Sequence, residues 1–525
     1  MRPSSAAALV ATAVLAAACS GEARPLLPDT PPAPTTVPAG TGTPVPPAST
    51  TSPPEDADPG TPPSTASPPT SRPPTGSTAA PTAAPIAGIA GSTGLGDPYF
   101  PDLGTGGYDV DSYELFLAVD PIGGSLEGRA RITAVALDDL DTFNLDLLGL
   151  DVSALRVDGE PAGSSRRGAE LTVDPAPVLR AGARFVVEVD YGGTPVRSPS
   201  AALGDGYGWV HVGEMVYAAA QPDAAHSWFP GNDHPSDKAT FRFEITTPEP
   251  FTAAANGRLL EVAPGEGSRT FVWEMDRPMA TNLATVVVGD LVRLDRPGPP
   301  GIELRDYLPP DLAASPPAPY GRIGEMLDYL ASVFGPYPFD AYGHAVVPAL
   351  PGALETQTLT LMGSGVSGPI LERVIVHELA HQWYGDSVSP ATWKDVWLSE
   401  GFATYAEWLW AEHTGGGEAM EAAVGSAHAR LATLPHNPPG DPGIGQLFGR
   451  TVYDRGALTL HALRTEIGDD AFFALLRDHS EQNRDGNAST AGFIALAEAV
   501  AGRDLGPLFD AWLFEPALPP LPPAG

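Results

Sequence analysis

The hydrophobic pattern of this chain changes its period once, near Asp306, and this change limits the possible folds more than any other feature. Before that point, apolar and polar residues alternate in short runs separated by turn residues, as in "YELFLAV", "ARITAVAL" and "RFVVEVDY". After it, apolar residues recur three and four positions apart, as in "ILERVIVHELAHQWYG" and "WLSEGFATYAEWLWAEH". Alternation indicates strands and the wider spacing indicates amphipathic helices. The pattern therefore predicts an α+β multidomain chain, with an antiparallel all-β domain over residues 96–306 and a mainly α-helical domain over residues 307–525.

Residues 20–95 precede the folded sequence and are rich in Pro, Thr, Ser and Ala, as in "TPVPPASTTSPPEDADPGTPPSTASPPTSRPPTG". Such a composition cannot bury an apolar core, because it lacks large hydrophobic side chains. We therefore predict a disordered tether, extended in the polyproline manner. At about 3.1 Å per residue its stretched length is on the order of 200 Å.

Residues 1–19 have the layout of a secretory signal: Arg2, a short apolar run, then small residues ending at Cys19. The run is too short to be a membrane-spanning helix. Cys19 follows "LAAA" and resembles a bacterial lipoprotein processing site, where the thiol is acylated. The alternative is a plain signal peptide with an unused cysteine. The lipoprotein interpretation predicts a protein exported across the cytoplasmic membrane of a bacterial envelope and held on its outer face by acyl chains alone.

The charge of the chain excludes one class of partner. The sequence has 64 acidic and 29 basic residues, a formal net charge of −35. Nucleic-acid binding needs clustered Lys and Arg to neutralise phosphates, so no nucleic-acid partner is expected. The acidic excess favours solubility, and we expect a monomer.

The helical half contains "VIVHELAHQW", in which His377 and His381 are four residues apart with Glu378 beside the first. Residues four apart lie one helical turn apart on the same face, so the two imidazoles can face one point. This is the metalloprotease pattern of two zinc ligands and a general base. The alternative is a pair of surface histidines, but the apolar neighbours favour a partly buried site.

Catalytic zinc normally has three protein ligands and an open fourth position. Glu400 is the conspicuous acidic residue of the following apolar helix, "DVWLSEGFATYAEW", and eighteen residues separate it from His381. A return of the chain after "YGDSVSPATW" can bring the two helices together. Glu400 is therefore the candidate third ligand. Asp395 is a second acidic candidate, either as a support for a zinc-bound imidazole or at the start of the helix.

These motifs together resemble the gluzincin aminopeptidases, the family of aminopeptidase N and leukotriene hydrolase. "PGALETQTLT" stands where the family has its exopeptidase motif, "VYDRGALTLHALR" resembles the segment with the catalytic tyrosine, and "HSWFPGNDHPSDKATFRFEI" resembles a turn and strand of the N-terminal domain. The resemblance runs from about Asp97 to about Pro519. It implies an N-terminal β saddle domain and a thermolysin-like zinc metallopeptidase domain.

The resemblance also implies roles for individual residues. One Zn²⁺ would be held by His377, His381 and Glu400. Glu378 would be the general base and Tyr453 would donate a hydrogen bond to the oxyanion. Substrate peptides with a free N-terminus would be bound by Gln221, Gly352, Ala353 and Glu355. The implied activity is hydrolysis of N-terminal residues from peptides.

The chain departs from the family pattern at two positions. Thr356 replaces the Asn that usually follows the Glu of the exopeptidase motif. Gln221 stands where many members have a second carboxylate for the substrate amine, and a neutral amide binds an ammonium less strongly. The alternatives to an aminopeptidase are an endopeptidase or epoxide hydrolase on the same site, or a tethered binding protein without catalysis.

Overall fold

The computed structural model describes residues 88–434 and 437–522, without the side chains of residues 205 and 206. The predicted signal peptide, Cys19 and most of the predicted tether lie outside the described residues. Within the described part of the chain, no helix combines the length and the apolar character needed to cross a bilayer.

The first half is built from strands, as the alternating pattern predicts. Strand Lys238–Pro248, for example, buries every second side chain. The strands are β1 (Ile89–Ala90), β2 (Tyr108–Asp120), β3 (Ser125–Ala136), β4 (Leu140–Asp146), β5 (Asp151–Val157), β6 (Glu160–Pro161), β7 (Gly163–Arg167), β8 (Glu170–Asp174), β9 (Arg184–Gly193), β10 (Arg197–Ser200), β11 (Gly204–Val212), β12 (Met215–Ala219), β13 (Lys238–Pro248), β14 (Thr252–Ala255), β15 (Arg258–Pro264), β16 (Ser268–Ala280) and β17 (Val286–Gly289).

These strands form three sheets. Eight strands make the largest sheet, in the order β15-β16-β13-β2-β3-β9-β5-β6. A five-stranded sheet has the order β10-β11-β12-β17-β14, and a four-stranded sheet has the order β1-β4-β8-β7. Two pairs, β2 with β13 and β1 with β4, are parallel, so the domain is not purely antiparallel as predicted. Alternation of apolar and polar residues shows which face of a strand is buried, but the alternation is the same in parallel and antiparallel strands. The sequence pattern therefore could not identify the two parallel pairs.

The second half is mainly helical, as predicted. Its helices are α1 (Pro310–Ala314), α2 (Ile323–Phe334), α3 (Leu371–His381), α4 (Trp397–Gly415), α5 (Gly417–Leu431), α6 (Gly456–Ile467), α7 (Asp469–Gln482), α8 (Thr490–Ala501) and α9 (Gly506–Phe509). Its strands are β18 (Val292–Arg296), β19 (Glu303–Leu308), β20 (Ala341–Tyr342), β21 (His344–Val347), β22 (Ala353–Leu354), β23 (Thr360–Gly363), β24 (Val388–Pro390) and β25 (Gly486–Ala488). Its described residues also form two π-helical turns, Thr451–Arg455 and Asp510–Phe514, and four short 3-10 helices, Ala318–Arg322, Gly368–Ile370, Trp393–Asp395 and Ile444–Gln446.

The sheet of the second half begins earlier in the chain than the change of hydrophobic period. Its order is β18-β19-β21-β23-β22, with β20 beside β19. Strand β18 thus shares a sheet with β21 and β23 although it lies before residue 307. At the other end of the β domain, β1 begins at Ile89, within the predicted tether, and pairs with β4.

The two halves meet through partly buried polar contacts. The Nζ of Lys238 on β13 donates to the carbonyl oxygens of Asp386 (2.7 Å) and Ser387 (2.9 Å) in the loop after α3. The hydroxyl of Tyr217 on β12 donates to the carbonyl oxygen of Pro348 at 2.8 Å. These bonds position the end of β12 opposite the segment between β21 and β23.

The fold predicts a pH dependence of stability from one buried ring. His479 on α7 is packed between the rings of Tyr384, Phe402 and Phe493, with centroids 5.0 to 5.9 Å away. Burial lowers its pKa to about 4. The folded state thus resists protonation, so this stability is complete above the unfolded-state pKa of about 6.5 and is lost as the pH falls towards 4. The expected loss at pH 4 is about 3 kcal/mol.

Replacing His479 with Phe is expected to remove this component and to keep the aromatic packing. Urea unfolding at pH 7 and pH 4.5 would measure it for both proteins. The wild type should lose more free energy of unfolding between the two pH values than the variant. Equal losses would show that the ring does not contribute.

Candidate metal centre and active site

Helix α3 presents two imidazoles to one point. His377 and His381 lie one turn apart on its buried face, and their ring centroids are 4.7 Å apart. Six of the other buried residues of this helix are apolar, and they pack in the hydrophobic core of the second half. Both rings are nearly inaccessible to solvent. The i, i+4 spacing therefore gives the convergence that the sequence predicts.

Glu400 completes a three-residue cluster from the first turn of α4. Its Oε2 lies 3.3 Å from Nε2 of His377 and 3.4 Å from Nε2 of His381. The three ligand atoms lie within 4.8 Å of one another. Zinc bonds of about 2.0–2.1 Å in tetrahedral geometry separate neighbouring ligand atoms by about 3.3 Å. The donor set and its spacing therefore fit a zinc ion.

The other nitrogen of each imidazole has a hydrogen-bond acceptor. Nδ1 of His377 lies 2.8 Å from Oε1 of Glu407, and Nδ1 of His381 lies 3.1 Å from the carbonyl oxygen of Tyr384. With the proton on Nδ1, each Nε2 keeps its lone pair directed at the cluster. The hydroxyl of Ser399 lies 3.0 Å from Nδ1 of His381. These contacts fix the tautomers that metal binding needs.

Glu378 faces the cluster with an unsatisfied carboxylate. Its Oε2 is buried and has no hydrogen-bond partner among the described residues. The pKa of Glu378 is raised to about 8: burial is the largest cause, His377 and His381 oppose it, and the carboxylates of Glu355 and Glu400 add to it. A bound divalent cation would favour the ionised form. The carboxylate is thus available to a water molecule in the cleft.

Tyr453 enters the site from the π-helical turn before α6. Its ring is stacked on that of His377, with centroids 5.9 Å apart and planes 16° apart. Burial, reinforced by the carboxylates of Glu400 and Glu355, raises its pKa well above 10. The hydroxyl therefore remains a hydrogen-bond donor.

Two glycines let the helices that carry Glu400 and Tyr453 approach closely. A Cβ on Gly401 would lie 2.9 Å from the Cα of Gly456, and a Cβ on Gly456 would lie 3.0 Å from the Cα of Gly401. Backbone contact at this distance excludes any side chain at either position. The close approach sets the distance between the third ligand and the tyrosine.

Glu355 and Gln221 meet at the end of the cluster where the two domains join. The Nε2 of Gln221 donates to Oε1 of Glu355 at 2.7 Å, and both residues are buried. An ionised carboxylate only accepts hydrogen bonds, so the amide nitrogen faces it and the amide oxygen remains available to another donor. Ligand atoms of Glu355, Glu378 and His381 lie within 4.8 Å of one another. Together, Glu355 and Gln221 offer acceptors to a cationic group beside the metal cluster.

Ala353 lines the same cleft, and Gly352 precedes it in the chain. Ala353 begins β22, which is the last strand of its sheet among the described residues and pairs only with β23. Gly352 has φ of +124°, a conformation that favours glycine. An edge strand has unpaired backbone groups that can bind an extended peptide.

The structure thus brings the predicted metal, catalytic and substrate-binding residues together around one cleft, except Gly352, which is not part of the cleft lining. The remaining side chains around the cleft are Leu203, Tyr207, Leu350, Pro351, Leu354 and Phe448. Thr356 lies beside the site as a buried residue whose hydroxyl bonds the carbonyl oxygen of Leu359.

Sequence reasoning missed Glu407 and considered Asp395 for the same role. Asp395 instead accepts bonds from the backbone and hydroxyl of Thr490, at 2.8 and 2.7 Å. Glu407 follows Glu400 by seven residues, two helical turns, and so lies on the same face of α4. That spacing was the signal that could have identified it.

Replacing Glu407 with Gln is expected to weaken zinc binding about tenfold. The amide would still accept the Nδ1–H of His377, but without the charge that makes the imidazole a stronger ligand. Competition with a chelator of known affinity would measure the change. Ser399→Ala is a matched control, because His381 keeps the carbonyl of Tyr384, and it should have a smaller effect. Unchanged affinity in Glu407→Gln would contradict the role.

Two family models match the chain. The Peptidase family M1 domain matches residues 322–512, and the Peptidase M1 N-terminal domain matches residues 110–283. The helical half with the metal cluster and the β half with Gln221 are thus recognised separately and in the order expected for this family.

Curated relatives are aminopeptidases. Aminopeptidase N of Streptomyces lividans is 29% identical over 341 residues, covering 58% of this chain and 38% of that protein. Aminopeptidase B of Mus musculus is 27% identical over 344 residues, covering 59% of this chain and 51% of that protein. The chain therefore spans about half or less of the length of these relatives.

Solved structures match over nearly their whole length. The M1 zinc metallopeptidase of Deinococcus radiodurans is 36% identical, with a TM-score of 0.75, and the match covers 82% of this chain and 98% of that one. A mutant of that enzyme bound to a Tyr-Ser-Ala substrate matches with a TM-score of 0.77 and 36% identity, over 82% of this chain and 99% of that one. The two-domain fold is thereby confirmed, as is the expectation of one catalytic zinc. The chain belongs to peptidase family M1, the zinc metallopeptidases.

Proposed function

We propose that this protein is a zinc aminopeptidase that releases single residues from the N-termini of peptides. The observation that carries the proposal is the pairing of Glu355 with Gln221 beside the three-ligand cluster. Glu355 supplies a buried negative charge and Gln221 supplies a neutral acceptor. Both lie within about the length of one substrate residue of the position where a scissile carbonyl would lie.

The anchor sets which peptide bond is cut. The α-ammonium of a substrate would donate to Glu355 and to the free amide oxygen of Gln221. Holding the amine there fixes the first peptide bond over the cluster, which is the positional advantage that catalysis requires. The edge of β22 at Gly352 and Ala353 would bind the peptide backbone.

The neutral side chain of Gln221 fits this role better than its sequence position suggests. A second carboxylate at 2.7 Å from Glu355 would repel it, whereas the amide of Gln221 donates a hydrogen bond to it. The anchor therefore carries less negative charge than a pair of carboxylates would.

The other side chains would carry the chemistry. Glu378 would take a proton from the attacking water and pass it to the leaving amine. Tyr453 would donate a hydrogen bond to the oxygen of the tetrahedral centre. His377, His381 and Glu400 would hold the zinc, which when bound supplies Lewis acidity towards the scissile carbonyl and the water.

Paired substrates test this proposal. We would load the protein with zinc and follow cleavage of Tyr-Ser-Ala and of the same peptide with an acetylated N-terminus. Release of tyrosine from the free peptide alone is expected, because acetylation removes the ammonium. Cleavage of both at similar kcat/KM would indicate an endopeptidase. No cleavage with one zinc bound per chain would indicate a binding protein.

The proposed place of action is outside the cytoplasmic membrane of a bacterium. The support is the sequence of residues 1–19, with its basic start, apolar run and terminal cysteine. Acylation of Cys19 would hold the enzyme at the outer face. Expression of the full chain in a bacterium with labelled palmitate tests this, using Cys19→Ser as the control. Label retained in that variant, or protein left in the cytoplasm, would refute the anchor.

A further inference from the structure

The π-helical turn that carries Tyr453 is attached to a distant part of the chain through one side chain. Arg455 is the last residue of this turn and is completely buried. Among the described residues, its guanidinium bonds only main-chain carbonyl oxygens, all from one segment, which we call the clasp segment (Ala511–Pro519). The bonds are Nε to Trp512 at 2.8 Å, Nη1 to Pro516 at 3.4 Å, and Nη2 to Ala511 at 2.9 Å, Glu515 at 2.5 Å and Ala517 at 3.0 Å.

This arrangement is unusual for a buried cation. Among the described residues, no carboxylate forms an ion pair with Arg455; burial lowers its pKa to about 10, and the charge of Glu515 opposes this. The charge is compensated by carbonyl dipoles instead. Two of these belong to Ala511 and Trp512 in the short helix Asp510–Phe514, whose terminal carbonyls have no partner within that helix. The planar guanidinium has five N–H donors in a fixed fork, against three for an ammonium, so it can bond more of these oxygens at once.

The clasp segment is itself fixed to the helical core. Nε2 of His428 on α5 lies 2.8 Å from the carbonyl oxygen of Pro519. Leu518 packs against the hydrophobic core of the catalytic domain. The segment is therefore a rigid partner for Arg455.

The turn is held on its other sides as well. The carboxylate of Asp454 accepts from Arg430 on α5, at 2.9 and 3.1 Å. Gly456 is pressed against Gly401 of α4, next to the ligand Glu400. Arg455 thus adds a further attachment, to the clasp segment, and Tyr453 lies in the same turn.

We propose that Arg455 is a positioning residue for Tyr453, and that the clasp segment acts on the reaction through it. This inference rests on the proposed function, in which the Tyr453 hydroxyl must meet the developing oxyanion. A hydrogen-bond donor displaced by about 1 Å loses much of its effect on the transition state and little of its effect on the ground state. The clasp segment should therefore influence kcat and leave KM nearly unchanged.

Arg455→Lys is the principal test. Lysine keeps the charge but has three donors on one nitrogen, so it cannot reach all five carbonyls. We expect kcat for Tyr-Ser-Ala to fall about tenfold, with KM within about twofold and zinc content unchanged. In a Tyr453→Phe background the same substitution should cause no further fall, because the residue acts through the missing hydroxyl.

Two further variants distinguish positioning from general support. Arg464→Lys on α6 alters another largely buried arginine, bonded to Glu412 and Asp469 away from the cleft, and should lower Tm without lowering kcat. His428→Ala removes the bond to Pro519 and leaves Arg455 intact. It should give a two- to threefold fall in kcat, and it covers the case in which Arg455→Lys does not fold.

Hydrogen exchange gives a measurement that does not depend on turnover. Backbone amides of residues 451–455 should exchange faster in Arg455→Lys than in the wild type, whereas those of α3 should not change. If the wild type does not cleave peptides and Arg455→Lys does not change the exchange rates, both proposals fail. If Arg455→Lys changes the exchange rates but the wild type does not cleave peptides, only the proposed peptidase function is refuted. The positioning role would be overturned if Arg455→Lys lowered kcat tenfold in both the wild type and the Tyr453→Phe background. It would also be overturned if Arg455→Lys lowered Tm and left kcat unchanged.

Discussion

Replacing Glu378 with Gln is expected to lower kcat about a thousandfold while leaving the zinc content at one per chain. Glu378 is not a ligand in the cluster of His377, His381 and Glu400, so the metal keeps its three protein donors. General acid–base groups contribute about 10²–10⁴ to rate. The amide has the shape of the carboxylate but cannot accept a proton, so the loss should be in the chemical step.

The measurement combines turnover of Tyr-Ser-Ala, metal analysis and the binding constant of the uncleaved peptide. Binding should change little, since the amine anchor and the backbone contacts are intact. Glu372→Gln is a matched control on the same helix, because Glu372 bonds Arg322 and Trp410 at the end of α3 away from the cluster. A variant at Glu378 that keeps a tenth of the wild-type kcat would exclude the general-base role. Loss of zinc from it would mean that Glu378 is itself a ligand.

The metal cluster was predictable because its determinants are local. The i, i+4 spacing of His377 and His381 fixes their relative direction on any helix, and the position of Glu400 early in the next helix follows from a short connection. These are properties of one or two neighbouring elements. The same is true of the burial pattern in the long strands, which repeats every second residue whatever their partners.

What escaped prediction depends on contacts between distant parts of the chain. The parallel pairing of β2 with β13 joins strands separated by more than 100 residues. The contact of Gly401 with Gly456 requires the packing of two helices, and the sequence shows only two ordinary glycines. In the sequence, Arg455 is only one residue of the motif that contains Tyr453, and its contact with the clasp segment is visible only in the structure. The resemblance to a known family supplied roles for Tyr453 and Glu355, but not the side chains that hold them.

Gln221 departs from the family pattern, and the structure gives this departure a different interpretation from the one that the sequence suggests. In the sequence it looks like the loss of an anionic contact. In the structure its amide donates to Glu355, so the orientation of the amide oxygen is set by the neighbouring carboxylate. The affinity for an ammonium then depends on Glu355 more than it would in a site with two carboxylates.

Replacing Glu355 with Gln is therefore expected to lower kcat/KM about a hundredfold for peptides with a free N-terminus. The substitution removes the one negative charge of the anchor and leaves a buried ammonium facing two neutral amides. Loss of one partner from a buried charged hydrogen bond costs about 2–5 kcal/mol. The new amide can still accept the bond from Gln221, so the fold and the zinc content should be unaffected. Steady-state kinetics on Tyr-Ser-Ala, with zinc content and Tm measured in parallel, would give the change.

The acetylated peptide is the internal control, because it has no ammonium to lose. Its cleavage is expected to be very slow in the wild type and nearly the same in Glu355→Gln, so the ratio between the two substrates should collapse. A general defect of the cleft would instead slow both substrates by the same factor. Since Glu355 and His381 offer ligand atoms within 4.8 Å of each other, the charge also lies close enough to influence the metal. The substrate ratio separates these effects, because a change at the metal acts on every peptide and a change at the anchor acts only on those that carry a charge at their first nitrogen.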